Sequence, residues 1–305
     1  MSESIVSKHR GKRAIAEALF VTVLWSSSWV LIKLGLPDAP PLTFAGLRYS
    51  LAFLCLVPIA TTKARRAELS QLRGRDWMAL CALGLVFYAV TQGAQFFALG
   101  RLPAQMASLI LSFSPVAVAL LSAAFIGERP RPAQLTGVSI YLLGAALFLL
   151  PVAASRSYGL GLIVAVVGMV ANAASSVLGR YANRSIPASP VTITVVSMGI
   201  GGAVLLAVGI AVEEAPILST RFIAILLWLS IVNTALAFTV WNRTLATLTA
   251  LASSVINGTM LIQIAILAWI FLDESPGPRQ LLGLSLAGVG GLIVQVFSAR
   301  RRVRQ

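Results

Sequence analysis

The chain has 305 residues, 58% of them hydrophobic and only 11% charged. A soluble domain carries about a quarter charged residues, so one or two soluble cores cannot hide this much apolar surface and a bilayer has to cover it. A formal charge of +14 ordinarily points to nucleic acid, but here the basic residues sit at the termini and between apolar runs, where they set membrane topology, and nucleic acid is excluded as a partner.

Residues 1–13 are polar and basic and read as a cytoplasmic tail. The apolar run 14–34 is longer than the roughly 7–15-residue core of a signal peptide and ends in Lys33-Leu34-Gly35, which predicts a retained first helix. A bilayer core needs about 20 apolar residues in a helix. That rule predicts ten spans, at 14–34, 42–60, 77–99, 103–126, 134–150, 160–181, 190–212, 222–242, 248–272 and 279–297. The connections are short and hold Pro, Gly, Arg or acidic residues. Residues 299–305 form a basic tail. With the N-terminus inside, eighteen Lys or Arg residues fall on the inner side and six on the outer. This predicts a multi-pass protein of the cell membrane with both termini cytoplasmic.

The chain repeats itself at an offset of 146 residues. Glu128 falls on Glu274, Pro130 on Pro276, Pro132 on Pro278, Gln134 on Gln280, Leu135 on Leu281, Gly137 on Gly283 and Gly144 on Gly290. The repeats are placed at 14–151 and 157–298. Each holds five spans, an odd number, so the second must enter the membrane upside down. The expected fold is an all-α membrane protein of ten transmembrane helices, arranged as two inverted five-helix repeats around a central cavity. Inverted repeats suit alternating access, with a site near the midplane.

Charges inside spans are functional candidates. Arg48 lies about six residues into the second span and Lys33 ends the first, both toward the outer side. They read either as an electropositive rim for a carboxylate or as snorkelling cations. Glu17, one turn into the first span, pairs with a nearby base or faces a vestibule. Glu128 and Glu274 each precede a Pro-x-Pro. They read as gate or proton sites, or, more simply, as carboxylates capping the following helix. No Asp or Glu falls at the middle of a span, so the substrate is expected to be held mainly by neutral polar and aromatic groups. Tyr88, Gln92 and Gln95 follow helical spacing, as do Ser108 with Ser112 and Asn172 with Ser176. Asn233 lies on the eighth span, and Ser254, Asn257 and Gln263 on the ninth. Such stripes align donors and acceptors on one face; they also serve as interhelical glue. Trp25, Trp29, Tyr49 and Trp241 are expected in interfacial belts, with Trp25, Ser28 and Trp241 also candidates for the cavity wall.

Enzymatic and metal chemistry find no footing. Cys55 and Cys81 sit in apolar runs and the single histidine, His9, is in the tail, so neither a metal cluster nor a Ser/His/Asp set forms. No Walker-type loop occurs, which argues against ATP-driven transport. No cofactor is expected.

Four segments carry a resemblance: W-S-S-S-W-V-L-I-K-L-G (25–35), T-F-A-G-L-R-Y-S-L-A-F (43–53), A-S-L-I-L-S-F-S-P-V-A-V-A-L-L-S-A-A-F-I-G-E-R-P (107–130) and L-D-E-S-P-G-P-R-Q-L-L-G (272–283). With these the chain resembles the EamA-type permeases of the drug/metabolite transporter superfamily, closest in look to amino-acid exporters of the YddG kind. The resemblance implies a cavity lined by spans one, three, four, six, eight and nine, where the polar stripes are concentrated. It implies a small-molecule substrate, an amino acid or related metabolite, and it gives Arg48 the family's recurrent position. One departure is Pro115, matched by Leu261 in the second repeat; as a hinge it would act in one half only. A monomer in the lipid bilayer is expected. The competing readings are a nucleotide-sugar or sugar-phosphate exchanger, which should show paired bases deep in the cavity, a multidrug cation carrier, a channel, and a lipid-handling protein.

Overall fold

In a computed structural model of the chain, residues 2–114, 116–117, 132–153, 158–245, 247–248 and 250–302 are described. All regular structure among them is helical, and no strand occurs. Seven helical stretches are long and apolar enough to cross a membrane: Lys12–Gly35, Pro41–Ala60, Gly74–Leu99, Gly159–Ser185, Pro190–Val212, Thr220–Trp241 and Val255–Leu272. Two apolar helices are shorter, Leu135–Leu149 and Pro278–Val294.

The helices in chain order begin with α1 (Ser2–Gly35), α2 (Pro41–Ala60), a short amphipathic α3 (Lys63–Ser70) and α4 (Gly74–Leu83). A π-helical segment (Gly84–Thr91) joins α4 to α5 (Gln92–Leu99), and α6 (Ala104–Leu111), α7 (Pro132–Ala153), α8 (Gly159–Ser185) and α9 (Pro190–Val212) follow. A second π-helical segment (Ile231–Leu236) joins α10 (Thr220–Ser230) to α11 (Ala237–Leu245). The chain closes with α12 (Ala250–Gly258), α13 (Met260–Leu272) and α14 (Pro278–Arg302). Four findings depart from the sequence reading. Helix α1 runs back through the basic tail. The third and eighth spans each contain a wide turn. The ninth is broken at Thr259, which separates α12 from α13. The expected loop after the second span also contains α3.

The chain divides into two compact units, one holding Met1–Val30, Pro103–Ser157 and Leu236–Gln305, the other Leu31–Leu102 and Tyr158–Ala235. Both units take chain from the two sequence repeats.

In the second unit α2 runs antiparallel to α9. A Cβ on Gly46 would lie 2.4 Å from Leu206 Cα, and one on Gly209 would lie 2.6 Å from Thr43 N, so the two backbones touch where only glycine fits. Phe44 fills the space beside them, with ring centroids 5.2 Å from Phe96 and 5.0 Å from Phe222; all three rings are fully buried. A further apolar cluster of Leu80, Leu83, Ala182, Ile186 and Ile193 joins α4, α8 and α9.

In the first unit α7 and α14 cross through four glycines. Added Cβ atoms on Gly137 and Gly290 would meet each other's carbonyl oxygens at 2.9 and 2.6 Å, and those on Gly144 and Gly283 at 2.5 and 2.6 Å. Gly283 and Gly290 stand 146 residues after Gly137 and Gly144. The crossing is therefore made twice by the same pair of sequence positions, as a two-fold interface requires.

Helix ends are closed by carboxylates from afar. The Glu213 carboxylate, at the end of α9, accepts from Leu42 N (3.0 Å), Thr43 N (2.7 Å) and Thr43 Oγ1 (2.9 Å) at the start of α2. Glu68, on α3, accepts from Ser189 N (3.0 Å), Ser189 Oγ (2.9 Å) and Thr192 Oγ1 (2.5 Å) at the start of α9. Glu274 accepts from Ala104 N (2.8 Å) and Gln105 N (3.2 Å) at the start of α6. Each satisfies N–H groups that a helix start leaves open and places negative charge at the positive end of the dipole. In all three cases carboxylate and helix belong to opposite sequence repeats. Asp273 closes α13 with φ of 55°, a left-handed conformation that a short polar side chain tolerates.

Candidate functional site

The second unit gathers a polar and aromatic cluster around α2. Arg48 and Tyr49, adjacent on that helix, are 5% and 4% exposed. Arg48 Nε donates to Thr234 Oγ1 at 3.1 Å, and its guanidinium lies 5.3 Å from the Tyr49 ring centroid and 5.9 Å from that of Phe96. Tyr49 donates its hydroxyl to Gln92 Oε1 at 2.6 Å and sets its ring edge-on to Tyr88, 5.4 Å between centroids. One dipeptide thus touches both wide-turned helices: Tyr88 lies in the first π-helical segment, Gln92 directly follows it, and Thr234 lies in the second.

The two π-helical segments are built alike. Opening a helix to i→i+5 spacing frees backbone carbonyls, which cannot stay bare in a bilayer. Thr91 donates its hydroxyl to Val86 O (2.8 Å), and Thr234 to Leu229 O (2.8 Å); each reaches back five residues. The segments also lie within one residue of the 146-residue offset. Asn233, beside Thr234, is fully buried.

The first unit carries a separate group. Trp25 on α1 stacks obliquely on Phe238 and Trp241 of α11, at centroid distances of 5.4 and 5.1 Å. One residue on, Ser26 donates to Gln263 Oε1 at 2.9 Å, while Gln263 Nε2 donates to Thr22 Oγ1 (3.2 Å) and Thr259 Oγ1 (2.9 Å). Thr259 is the residue at the break between α12 and α13, so Gln263 ties α1 to that break. Glu17 accepts from Arg13 Nε at 2.9 Å and from Arg243, which settles its reading as a paired carboxylate.

The remaining sequence candidates are distributed as follows. Ser108 and Ser28 are buried and donate to their own helices, at Gln105 O (2.9 Å) and Leu24 O (3.3 Å). Ser176 is exposed and donates to Asn172 O at 3.0 Å. Gln95, Ser112 and Asn172 are half-buried, and Asn257 is exposed. Lys33 donates to Leu102 O at 2.7 Å. Glu274 caps a helix, as the simpler reading held, but the helix is α6 rather than the following α14. Trp29 and Tyr49, expected in interfacial belts, are buried at 7% and 4% exposure, because each packs within the protein and Tyr49 has Gln92 as its partner. Pro115, Glu128 and the Ser254 side chain lie outside the described residues. Sequence reasoning missed Thr234, Thr91, Phe238, Thr22 and Thr259. Nothing in a threonine's spacing announces a π-turn, though Thr234 directly follows the Asn233 that was singled out.

A helical chain with repeated halves, glycine-lined crossings and several apolar spans is of the membrane-transporter class. Comparison with known proteins gives the family: the EamA-like transporter family matches residues 12–150 and 159–296, and the chain belongs to it. A Streptantibioticus cattleyicolor protein named "Probable terminal-alkyne amino-acid exporter" is 28% identical over 95% of this chain and 96% of its own. An Escherichia coli protein named "Probable amino-acid metabolite efflux pump" is 26% identical over 93% and 95%. Bacillus subtilis "Uncharacterized transporter YvbV" is 27% identical over 92% and 88%. A solved crystal structure at 23% identity superposes with a TM-score of 0.65 over 95% of this chain and 97% of the other, and so shares its fold.

Proposed function

We propose that this transporter is a secondary exporter of small metabolites, amino acids foremost, working by alternating access through a polar and aromatic cavity. The observation that carries the reading is the family match over both repeats, with amino-acid exporters and efflux pumps among the relatives. In this reading the span that the sequence predicts at 103–126 is counted beside the seven membrane-compatible helices and the two shorter apolar ones, for ten in all, five in each of the repeats placed at 14–151 and 157–298. The antiparallel course of α2 against α9 supports an inverted second half. The 18-to-6 distribution of basic residues supports cytoplasmic termini in a cell membrane. The cavity is lined by the polar set named from the sequence, with Trp25 and Trp241 as aromatic wall. In this reading substrate is gripped mainly by neutral polar and aromatic groups, and exchange or facilitated diffusion is favoured over carboxylate-based proton coupling.

The test is counterflow in reconstituted vesicles. Purified protein is loaded with unlabelled amino acids, cationic drugs or nucleotide sugars in turn, and uptake of labelled substrate is followed with and without a proton gradient. Saturable accumulation of an amino acid is expected. Movement of nucleotide sugars alone refutes the reading, and unsaturable flux without counterflow marks a channel.

A further inference from the structure

We infer that the connection between the second and third spans, with α3 at its centre, is a docking surface for an anionic phospholipid, and that its ligand is the phosphodiester of a headgroup in the adjoining leaflet. The inference stands apart from what the carrier moves. Lys63 and Arg66 on α3, Arg73 and Arg75 at the start of α4, and Arg184 in the last turn of α8 are all exposed. Two contacts bring these segments to one end of the second unit. Glu68 ties α3 to the start of α9 through Ser189 and Thr192. Leu72 packs on the cluster in which Leu80 and Leu83 of α4 meet Ala182 of α8. The span before α3 ends at Ala60 and the span after it starts at Gly74, so α3 lies at the membrane edge.

Basic residues between spans set topology wherever they stand, and that task asks only for charge. Here the charge is mounted and kept clear of acids. The unit contains five acids, Asp38, Glu68, Asp76, Glu213 and Glu214. Asp38 and Glu213 lie at the opposite end, where Ser219 donates to Asp38 and Leu42 N to Glu213, and Glu214 adjoins Glu213. Glu68 is engaged by Ser189 and Thr192 and by Arg65 at 2.7 Å. Asp76 is buried and accepts from Arg73 N at 2.9 Å; Arg75 Nε stands 3.8 Å from it, with its side chain 69% exposed. The acids of this end thus turn inward to helix starts, and the cations face outward. Trp77 in the first turn of α4 and Tyr181, one turn before Arg184, are exposed beside them. Such rings settle at headgroup level, and they decide for a lipid over a soluble anion, which has no use for them. Arginine forks fit phosphate oxygens, and each cation near a bilayer surface strengthens the hold on an anionic lipid by on the order of fivefold. The ligand class is phosphatidylglycerol or a like phosphodiester; phosphatidylcholine, whose own cation cancels the charge, is disfavoured.

The experiment places the purified full-length protein in neutral-detergent micelles with equimolar phosphatidylglycerol and phosphatidylcholine and counts retained lipid by native mass spectrometry. The wild type is expected to retain phosphatidylglycerol over phosphatidylcholine by on the order of fivefold or more. Lys63→Gln with Arg66→Gln, and Arg73→Gln with Arg184→Gln, each lower that ratio at least about threefold. Arg221→Gln, which removes an exposed cation at the opposite end of the unit, leaves it unchanged. Added salt lowers the wild-type ratio, since exposed charges are screened. Inorganic phosphate in place of chloride at the same ionic strength does not. Equal retention of the two lipids by the wild type overturns the inference. So does an unreduced ratio in both double variants eluting as monodisperse peaks, or a fall as large in Arg221→Gln, which marks attraction to net charge alone. Loss of the preference in phosphate marks a soluble-anion site and overturns it too.

Discussion

Glu68 shows how much one side chain does at a helix start. Hydrogen bonds from Thr192 and Ser189, with Arg65 beside it, hold its carboxyl at about 2, well below the ordinary 4.5, against a smaller opposing effect of burial. A depressed folded-state value means the contribution to stability is complete above pH 4.5 and fades as pH falls toward 2. The expected outcome is that Glu68→Gln lowers the melting temperature in detergent at pH 7 and that the gap to wild type narrows below pH 4.5. Melting curves of both proteins across that range check it. The threonines of the π-helical segments are the other residues with a sharp role. Replacing Thr91 by Val leaves Val86 O without its hydroxyl donor in an apolar setting. A loss of about 1 kcal/mol is expected, read as a lower midpoint in thermal unfolding, with Thr91→Ser restoring most of it.

At the scale of elements, close backbone contact joins two pairs of long helices, α2 with α9 and α7 with α14. The Gly46 position faces Leu206 Cα at 2.4 Å, and a backbone atom cannot step aside as a rotamer would. Gly46→Leu should separate α2 from α9 and cost at least about 1–3 kcal/mol. Loss of monodisperse protein in size-exclusion chromatography checks it; Gly74→Ala, with open space around its Cβ position, should behave as wild type. The sequence carried a good part of this. Gly137, Gly144, Gly283 and Gly290 stood out because they recur at one offset, and the structure makes them one crossing. Tyr88 and Gln92 were named from spacing and Asn233 from its place on the eighth span, and the Arg48–Tyr49 cluster draws on all of their helices. What stayed illegible has a physical reason. A π-turn arises from tertiary context and a hydroxyl that reaches five residues back, so Thr91 and Thr234 look like any threonine in a span. Glu213 and Glu68 looked like loop acids because their partners lie 170 and 121 residues away. Tyr49 read as a belt residue because its composition suits an interface, and only the position of Gln92 shows otherwise.

For the whole molecule, the two repeats exchange the groups that finish their helices. Topology follows as a prediction: cysteines introduced at residue 2 and at residue 304, in a Cys55→Ser, Cys81→Ser background, should both resist a membrane-impermeant maleimide in right-side-out vesicles and react in inverted ones. Reaction of the two ends from different sides would refute an even number of crossings. The carboxylate exchange also constrains biogenesis. A ribosome delivers Leu42, Thr43, Ala104 and Gln105 long before residues 213 and 274, so α2 and α6 are made with bare amide hydrogens at their starts. A polypeptide halted after its first family repeat, residues 12–150, stays in that unfinished condition, a ready target for membrane quality control. Supplying the missing half as an independent chain completes the same ends in trans, and co-expression of the two fragments would yield a protein neither gives alone.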